Sequence, residues 1–174
     1  MEYKFLEHYC SEVKGVEPEL SFGNTDDAGM DLRSSAPSDI TLVPGADYVF
    51  PTGLQIHIGS DFFHDNFIIN TIVNENEKPY PLTGLYGMIV PRSGLGFKHY
   101  TRLANTTGII DAGYQKEIMV KIRNESDHDI TIQRGERMCQ MIFVPYYRGI
   151  NFVAVEEFGQ NSERGDGFGS SGKI

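Results

Sequence analysis

Short alternations of apolar and polar residues recur along this chain, and each is punctuated by a turn. From Glu117 to Arg123 the apolar Ile118, Val120 and Ile122 share one face, with Lys121 and Arg123 opposite. A period of two is the mark of a half-buried strand. Asp39 to Val43 runs into a Pro44-Gly45 turn, and Ile130 to Ile132 runs into Arg134-Gly135. Tyr48-Val49-Phe50 and Leu54 to Ile58 read as two strands broken by Pro51-Thr52-Gly53. Asn124 to Asp127 reads as a turn, and Met138 to Val144 as a mostly apolar strand. Many short strands with Gly, Pro, Asn and Asp between them predict an all-β sandwich or barrel. One short helix is expected from Ser93 through Leu95 to Lys98, with Pro91 ahead of it and Ser93 as N-cap.

Residues 59–87 stand apart. A strong strand pattern, Phe67 to Val73, is set between an aromatic loop (Phe62, Phe63) and a polar turn before Tyr80 and Tyr86. This predicts a long hairpin inserted between two strands. A surface hairpin of that length is cheap in loop-closure entropy. Its cluster of aromatics also suits an arm that binds a protein partner or edges a subunit contact.

A chain of 174 residues suits one domain, and 11 Phe and 9 Tyr supply aromatic core in the absence of Trp. The net charge of −9 argues against a general nucleic-acid binder, whose footprint is basic. It leaves room for one small polyanion held by a few arginines and a metal ion. Cys10 and Cys139 form no CxxC or zinc spacing and are expected as free thiols in a reducing compartment. His8, His57, His64, His99 and His128 are scattered, and no metal role is assigned to them. No apolar run is long enough to span a membrane, and the N-terminus lacks a secretion pattern. The expectation is a cytoplasmic protein (host cytoplasm, were the source viral).

The chemistry lies in five islands. Asp27 to Ser34 places Gly29 and Asp31 among small residues. Pro91 to His99 offers Arg92, Ser93 and Gly94 at a helix start, where a hydroxyl and free backbone N–H groups suit an anion. Asn105 to Tyr114 brings Asp111 to a strand end, sheltered by Ile109 and Ile110 and beside Tyr114. A carboxylate so placed can orient a water as general base. Arg134 to Met141 sets a polar Gln140 in an apolar strand, where its amide needs a partner. Arg164 to Gly172 combines Arg164, Phe168, Gly169, Ser170 and Ser171 in a glycine-rich tail. Such a segment loses much backbone freedom on ordering, yet carries a phosphate-binding arginine and a base-stacking ring. Taken singly, each island has an ordinary reading: a turn into a strand, a capped helix, a turn aspartate, a satisfied amide and a solvated tail.

Taken in order, AGMDL, PRSGL, GIIDAGY, GERMCQ and RGDGFGSSG resemble the five motifs of the trimeric deoxyuridine triphosphatases (dUTPases). The resemblance runs from about residue 25 to the end, apart from the insertion. It implies a jelly-roll β-barrel forming a homotrimer whose active sites draw on all three subunits. It implies that the C-terminal arm, about residues 159–174, acts as a lid over a neighbour's site. It implies hydrolysis of dUTP to dUMP and pyrophosphate with Mg²⁺, which keeps uracil out of DNA and supplies dUMP for dTMP synthesis. By the same resemblance Asp111 activates the water, and Tyr114 packs against deoxyribose. Asn105, Gly108 and Ile110, on the hairpin between Asn105 and Ile110, read uracil. Arg92, Ser93, Gly94 and Gln140 bind the phosphate chain. Asp31 organises the metal's water shell without direct ligation. Arg164 meets the γ-phosphate, Phe168 stacks over uracil, and Gly169 and Ser170 complete the lid.

Three departures stand out. Lys116 replaces a glycine common in the family, which strains the turn if that glycine is left-handed. The tail is one residue short before Phe168, a shift of up to ~3.5 Å. Residues 59–87 exceed the family connection by roughly twenty residues. Two other functions compete: a dCTP deaminase-type enzyme on the same barrel, which needs a glutamate-based site, and a dUTP-gated regulatory or protein-binding trimer.

Overall fold

The alternation seen in the sequence becomes ten strands and one helix in the computed structural model, which describes residues 1–17, 19–20, 22–59, 83–147 and 152–156. The strands are β1 (Glu2–Phe5), β2 (Met30–Arg33), β3 (Ile40–Leu42), β4 (Asp47–His57), β5 (Thr83–Pro91), β6 (Thr101–Leu103), β7 (Gly108–Ile110), β8 (Glu117–Asn124), β9 (Ile130–Ile132) and β10 (Arg137–Tyr147). The helix α1 (Ser93–His99) lies between β5 and β6. One sheet has the order β1-β4-β8-β6 and a second β2-β10-β5-β7, with β3 and β9 forming a two-stranded ribbon. Every pairing among these strands is antiparallel.

The apolar faces of both four-stranded sheets feed one core. Leu54, Ile56, Ile118, Val120 and Ile122 come from the first sheet, and Leu32, Ile89, Met138 and Met141 from the second. The expected all-β jelly-roll class is borne out, and β8 buries Ile118, Val120 and Ile122 as its alternation predicts.

Elsewhere the chain departs from expectation. The two strands separated by Pro51-Thr52-Gly53 are a single strand, β4. A bulge absorbs the turn-like residues, since the β4–β8 register shifts between Pro51 and Gln55. Gly53 takes φ +66, open to a residue without Cβ. Its N–H donates to Glu117 Oε1 at 2.8 Å, and Thr52 Oγ1 donates to Ile118 O at 2.8 Å, so the bulge stays stitched to β8. The helix begins at Ser93, but the N-cap is Arg92, whose carbonyl accepts the N–H of Gly96 at 3.0 Å. The Ser93 hydroxyl is therefore not spent on capping. Lys116 is not left-handed; the non-glycine residues with positive φ among those described are Tyr100 and Thr106.

Of the segment read as an inserted hairpin, residues 60–82 lie outside the described residues, including the strand expected at Phe67–Val73. Thr83 to Gly87, read as the returning limb, begin β5 and pair with β10 from Tyr147 to Phe143. No helix among the described residues is long and apolar enough to cross a membrane.

Candidate functional site

The outer face of the second sheet carries a polar cleft. In β2, Met30 and Leu32 turn into the core and Asp31 turns out. In β10, Cys139 and Met141 are buried while Gln140 turns out. Asp31 and Gln140 are cross-strand partners, and Gln140 is also opposite Val90 of β5, so Arg92 emerges beside them.

Asp31 takes one arginine on each oxygen. Arg92 Nε lies 2.9 Å from Oδ1, and Arg137 Nη1 lies 3.1 Å from Oδ2. Arg92 Nη1 also donates to Arg137 O at 3.3 Å. Two guanidinium groups face the one carboxylate of Asp31, and Asp27 on the cleft wall balances the second of them. The cleft has a volume of about 510 Å³, and Asp27, Gly29, Asp31, Arg92, Ser93 and Gln140 are among its walls. Asp27, its other carboxylate, is engaged by the backbone N–H and side-chain amide of Asn24 at 2.8 and 3.1 Å. Beneath the cluster, burial pushes the Cys139 thiol up to about 12, with the Asp31 charge adding to the rise and Arg92 opposing it.

Gln140 was expected as a buried amide. It is half-exposed, and its Nε2 donates weakly to Pro91 O at 3.5 Å. Its position depends on Gly29, where a Cβ would stand 2.5 Å from Gln140 Oε1.

Asn105, Gly108, Ile110, Asp111 and Tyr114 form a second group. The segment from Asn105 to Ile110 was expected as a hairpin, but its flanking strands do not pair. β6 joins β8 in the first sheet and β7 joins β5 in the second. Thr106, at φ 62, reverses the chain between them. Gly108 packs with its Cα against Ile89, where a Cβ would meet Ile89 Cβ at 3.2 Å. Ile109 and Ile110 do not give Asp111 the expected shelter: Asp111 is exposed, Ile109 points outward and Ile110 is half-buried. Tyr114 N–H closes a turn onto Asp111 O at 3.0 Å, and its hydroxyl donates to Glu117 O at 2.9 Å.

The two groups do not meet. Ile110 is opposite Gly87, whereas Arg92 lies five residues further along the chain, just past the end of β5. At ~3.4 Å per residue this is a separation of roughly 17 Å. Asp31, Arg92, Ser93 and Gln140 are thus brought together, and Asp111 and Tyr114 lie elsewhere. Gly94 is exposed in the first turn of α1, off the cleft wall. Arg164, Phe168, Gly169 and Ser170 lie outside the described residues.

Arg137 is the residue sequence reasoning missed. Positions 137 and 140 on a regular strand face opposite ways. The β10–β2 register shifts between Arg137 and Cys139, and this irregularity returns both to the cleft. Among the described residues no group of three His, Cys, Asp or Glu side chains gathers to hold a metal ion.

The family model described as dUTPase matches residues 66–172. The deoxyuridine 5'-triphosphate nucleotidohydrolase of Serratia proteamaculans is 38% identical over 170 residues, covering 93% of this chain and 96% of that protein. The protein of the same name from Aeromonas salmonicida is 40% identical over 157 residues, covering 90% and 88%. Among solved structures, the dUTPase of Staphylococcus bacteriophage 80alpha, determined with dUpNHpp, superposes with a TM-score of 0.70 at 24% identity, covering 98% of this chain and 97% of that one. The dUTPase of the Staphylococcus aureus phage phi11 gives 0.65 at 19% identity, covering 92% and 98%.

Proposed function

This chain belongs to the dUTPase family, and from that premise we propose that it hydrolyses dUTP to dUMP and pyrophosphate. The observation that carries the reading is the cleft where Arg92 and Arg137 hold Asp31, with Arg92 five residues, roughly 17 Å of extended chain, beyond the Gly87–Ile110 pair that leads into the Asp111–Tyr114 loop. The cleft suits the phosphate chain and the loop suits the nucleoside and the attacking water. One chain does not bring them to one substrate, and a homotrimer with shared sites does, by placing the loop of one subunit over the cleft of the next. We read each chain as one domain, with an insertion at about 59–87 and a lid at about 159–174 that closes over a neighbour's site.

Arg92 and Arg137 neutralise phosphate oxygens, and a guanidinium fork suits two of them at once. Ser93, its hydroxyl uncommitted to capping, and Gln140 donate to the same chain, with Gly94 presenting backbone beside them. Asn105 and the backbone at Gly108 and Ile110 pair with the uracil edge, and Tyr114 packs against the sugar where a 2′-hydroxyl would stand. Asp111 takes a proton from the water that attacks the α-phosphorus in line, and the bond to the leaving pyrophosphate breaks. Arg164 meets the γ-phosphate, while Phe168, Gly169 and Ser170 cover the base and phosphates.

Mg²⁺ fits this donor set in one way. Both oxygens of Asp31 already face arginines, so the carboxylate would touch the ion's water shell and leave direct ligation to the substrate phosphates. When bound, the ion spreads the charge of the triphosphate. The setting is a cytoplasm, where the product feeds dTMP synthesis and uracil is kept from DNA.

The test is pyrophosphate release from dUTP with Mg²⁺, against dCTP, dTTP and UTP, with Asp111→Asn as control. Release selective for dUTP and lost in the control is the expected result; ammonia release from dCTP, or tight dUTP binding without turnover, overturns the reading.

A further inference from the structure

Tyr114 is about one-third exposed, so part of its side chain stands in solvent, within reach of a ligand. Its hydroxyl donates to the main-chain carbonyl of Glu117 at 2.9 Å, across the turn that also holds Asp111. Glu117 is itself pinned from two distant parts of the chain. Its Oε1 accepts the Gly53 N–H of the β4 bulge at 2.8 Å. The same oxygen lies 2.8 Å from His8 Nε2, and a carboxylate only accepts, so His8 donates. The bulge is held on its other side as well, because Gly53 O accepts Leu6 N–H at 2.8 Å, and only glycine fits there, since a Cβ would stand 2.8 Å from Tyr9 Cα. Arg134 Nη2 ties down His8 from behind through its carbonyl at 3.0 Å.

We infer that Glu117 is a positioning residue for sugar discrimination: held by His8 and Gly53, it fixes the carbonyl that tethers Tyr114 and so sets how sharply a 2′-hydroxyl is refused. The inference rests on the reading above that Tyr114 faces the sugar. The N-terminal segment, which contributes nothing to the cleft, thereby acts on ligand choice.

The experiment compares binding of the α,β-imido analogues of dUTP and UTP by calorimetry, so that it does not depend on turnover. Tyr114→Phe keeps the ring and removes the tether. The preference for the deoxy analogue falls about 3- to 10-fold, the worth of one neutral hydrogen bond. Glu117→Ala lowers the ratio in the same direction, and Glu117→Gln, which still offers an acceptor to Gly53 N–H and His8, restores it. General loss of structure weakens both ligands together and leaves the ratio alone. The inference is overturned by a wild-type protein without preference, by unchanged ratios in Tyr114→Phe and Glu117→Ala, or by Glu117→Gln falling as far as Glu117→Ala. Absence of dUTP hydrolysis alongside the expected ratios sinks the proposed reaction and leaves the tether standing.

Discussion

Gly29 lies so close under Gln140 that a Cβ there would stand 2.5 Å from the side-chain oxygen and 3.1 Å from Gln140 Cβ. The amide can swing aside, so the cost of Gly29→Ala falls on its placement and little on stability. We expect Gly29→Ala to lower kcat/KM for dUTP about as far as Gln140→Ala does, with a thermal midpoint near wild type. The double variant should be no worse than Gln140→Ala alone, because the two changes act on one group. Additive losses in that cycle would show that Gly29 acts by some other route.

Asp31 is expected to act through its arginines. Asp31→Asn removes the charge that holds Arg92 and Arg137 on separate oxygens. Each charge-assisted bond is worth about 1.5–3 kcal/mol, so loss of one corresponds to roughly 10- to 100-fold in kcat/KM. Steady-state pyrophosphate release measures it, and a change below threefold would remove Asp31 from the account.

Asn124 offers a stability prediction remote from the cleft. Fully buried at the end of β8, it donates Nδ2 to Leu42 O and His128 O, both at 2.8 Å. Its Oδ1 accepts Ser126 N–H at 2.8 Å and Ser126 Oγ–H at 2.7 Å. Asn124→Ala strands several of these partners, and one buried unsatisfied group alone costs about 1–3 kcal/mol. Urea unfolding should show a loss in that range or above it, with dUTP selectivity unchanged.

Cys139 sets a pH dependence. Burial raises its thiol to about 12 in the folded chain, against roughly 8.5 when unfolded. The folded value is the higher one, so the unfolded chain ionises first as pH rises. The stabilisation is complete below about pH 8.5 and is lost progressively towards pH 12. The stability difference between wild type and Cys139→Ala should therefore shrink between pH 9 and 11, and a constant difference would contradict the shift. The native protein should also resist thiol alkylation at pH 8, since both Cys139 and Cys10 are buried.

How much of this could be read in advance varied with the range of the forces involved. β8 was legible because the burial of Ile118, Val120 and Ile122 follows from alternation alone. β4 was misread at Gly53, since the partner that keeps the bulge in the sheet, Glu117, is 64 residues away. Ser93 lost its capping role because the carbonyl that accepts from Gly96 is that of Arg92, a matter of one residue's dihedral angles. Asp31, Arg92, Ser93 and Gln140 were marked by motif order, and their meeting on one sheet face agrees with it. Arg137 was hidden by a register irregularity, which reverses the face that a simple count assigns. Lys116 was suspected of strain that its backbone does not carry.

The distance along the chain between Gly87 and Arg92 has a consequence beyond geometry. On the proposed reading, a chain owns parts of several sites and the whole of none. Folding is then a property of a single molecule, while turnover belongs to a population of them. Diluted below the concentration at which subunits associate, every chain could keep its sheets and core while specific activity falls towards zero. In a mixed pool, a subunit lacking Asp111 and another lacking Arg92 would each supply what the other is missing.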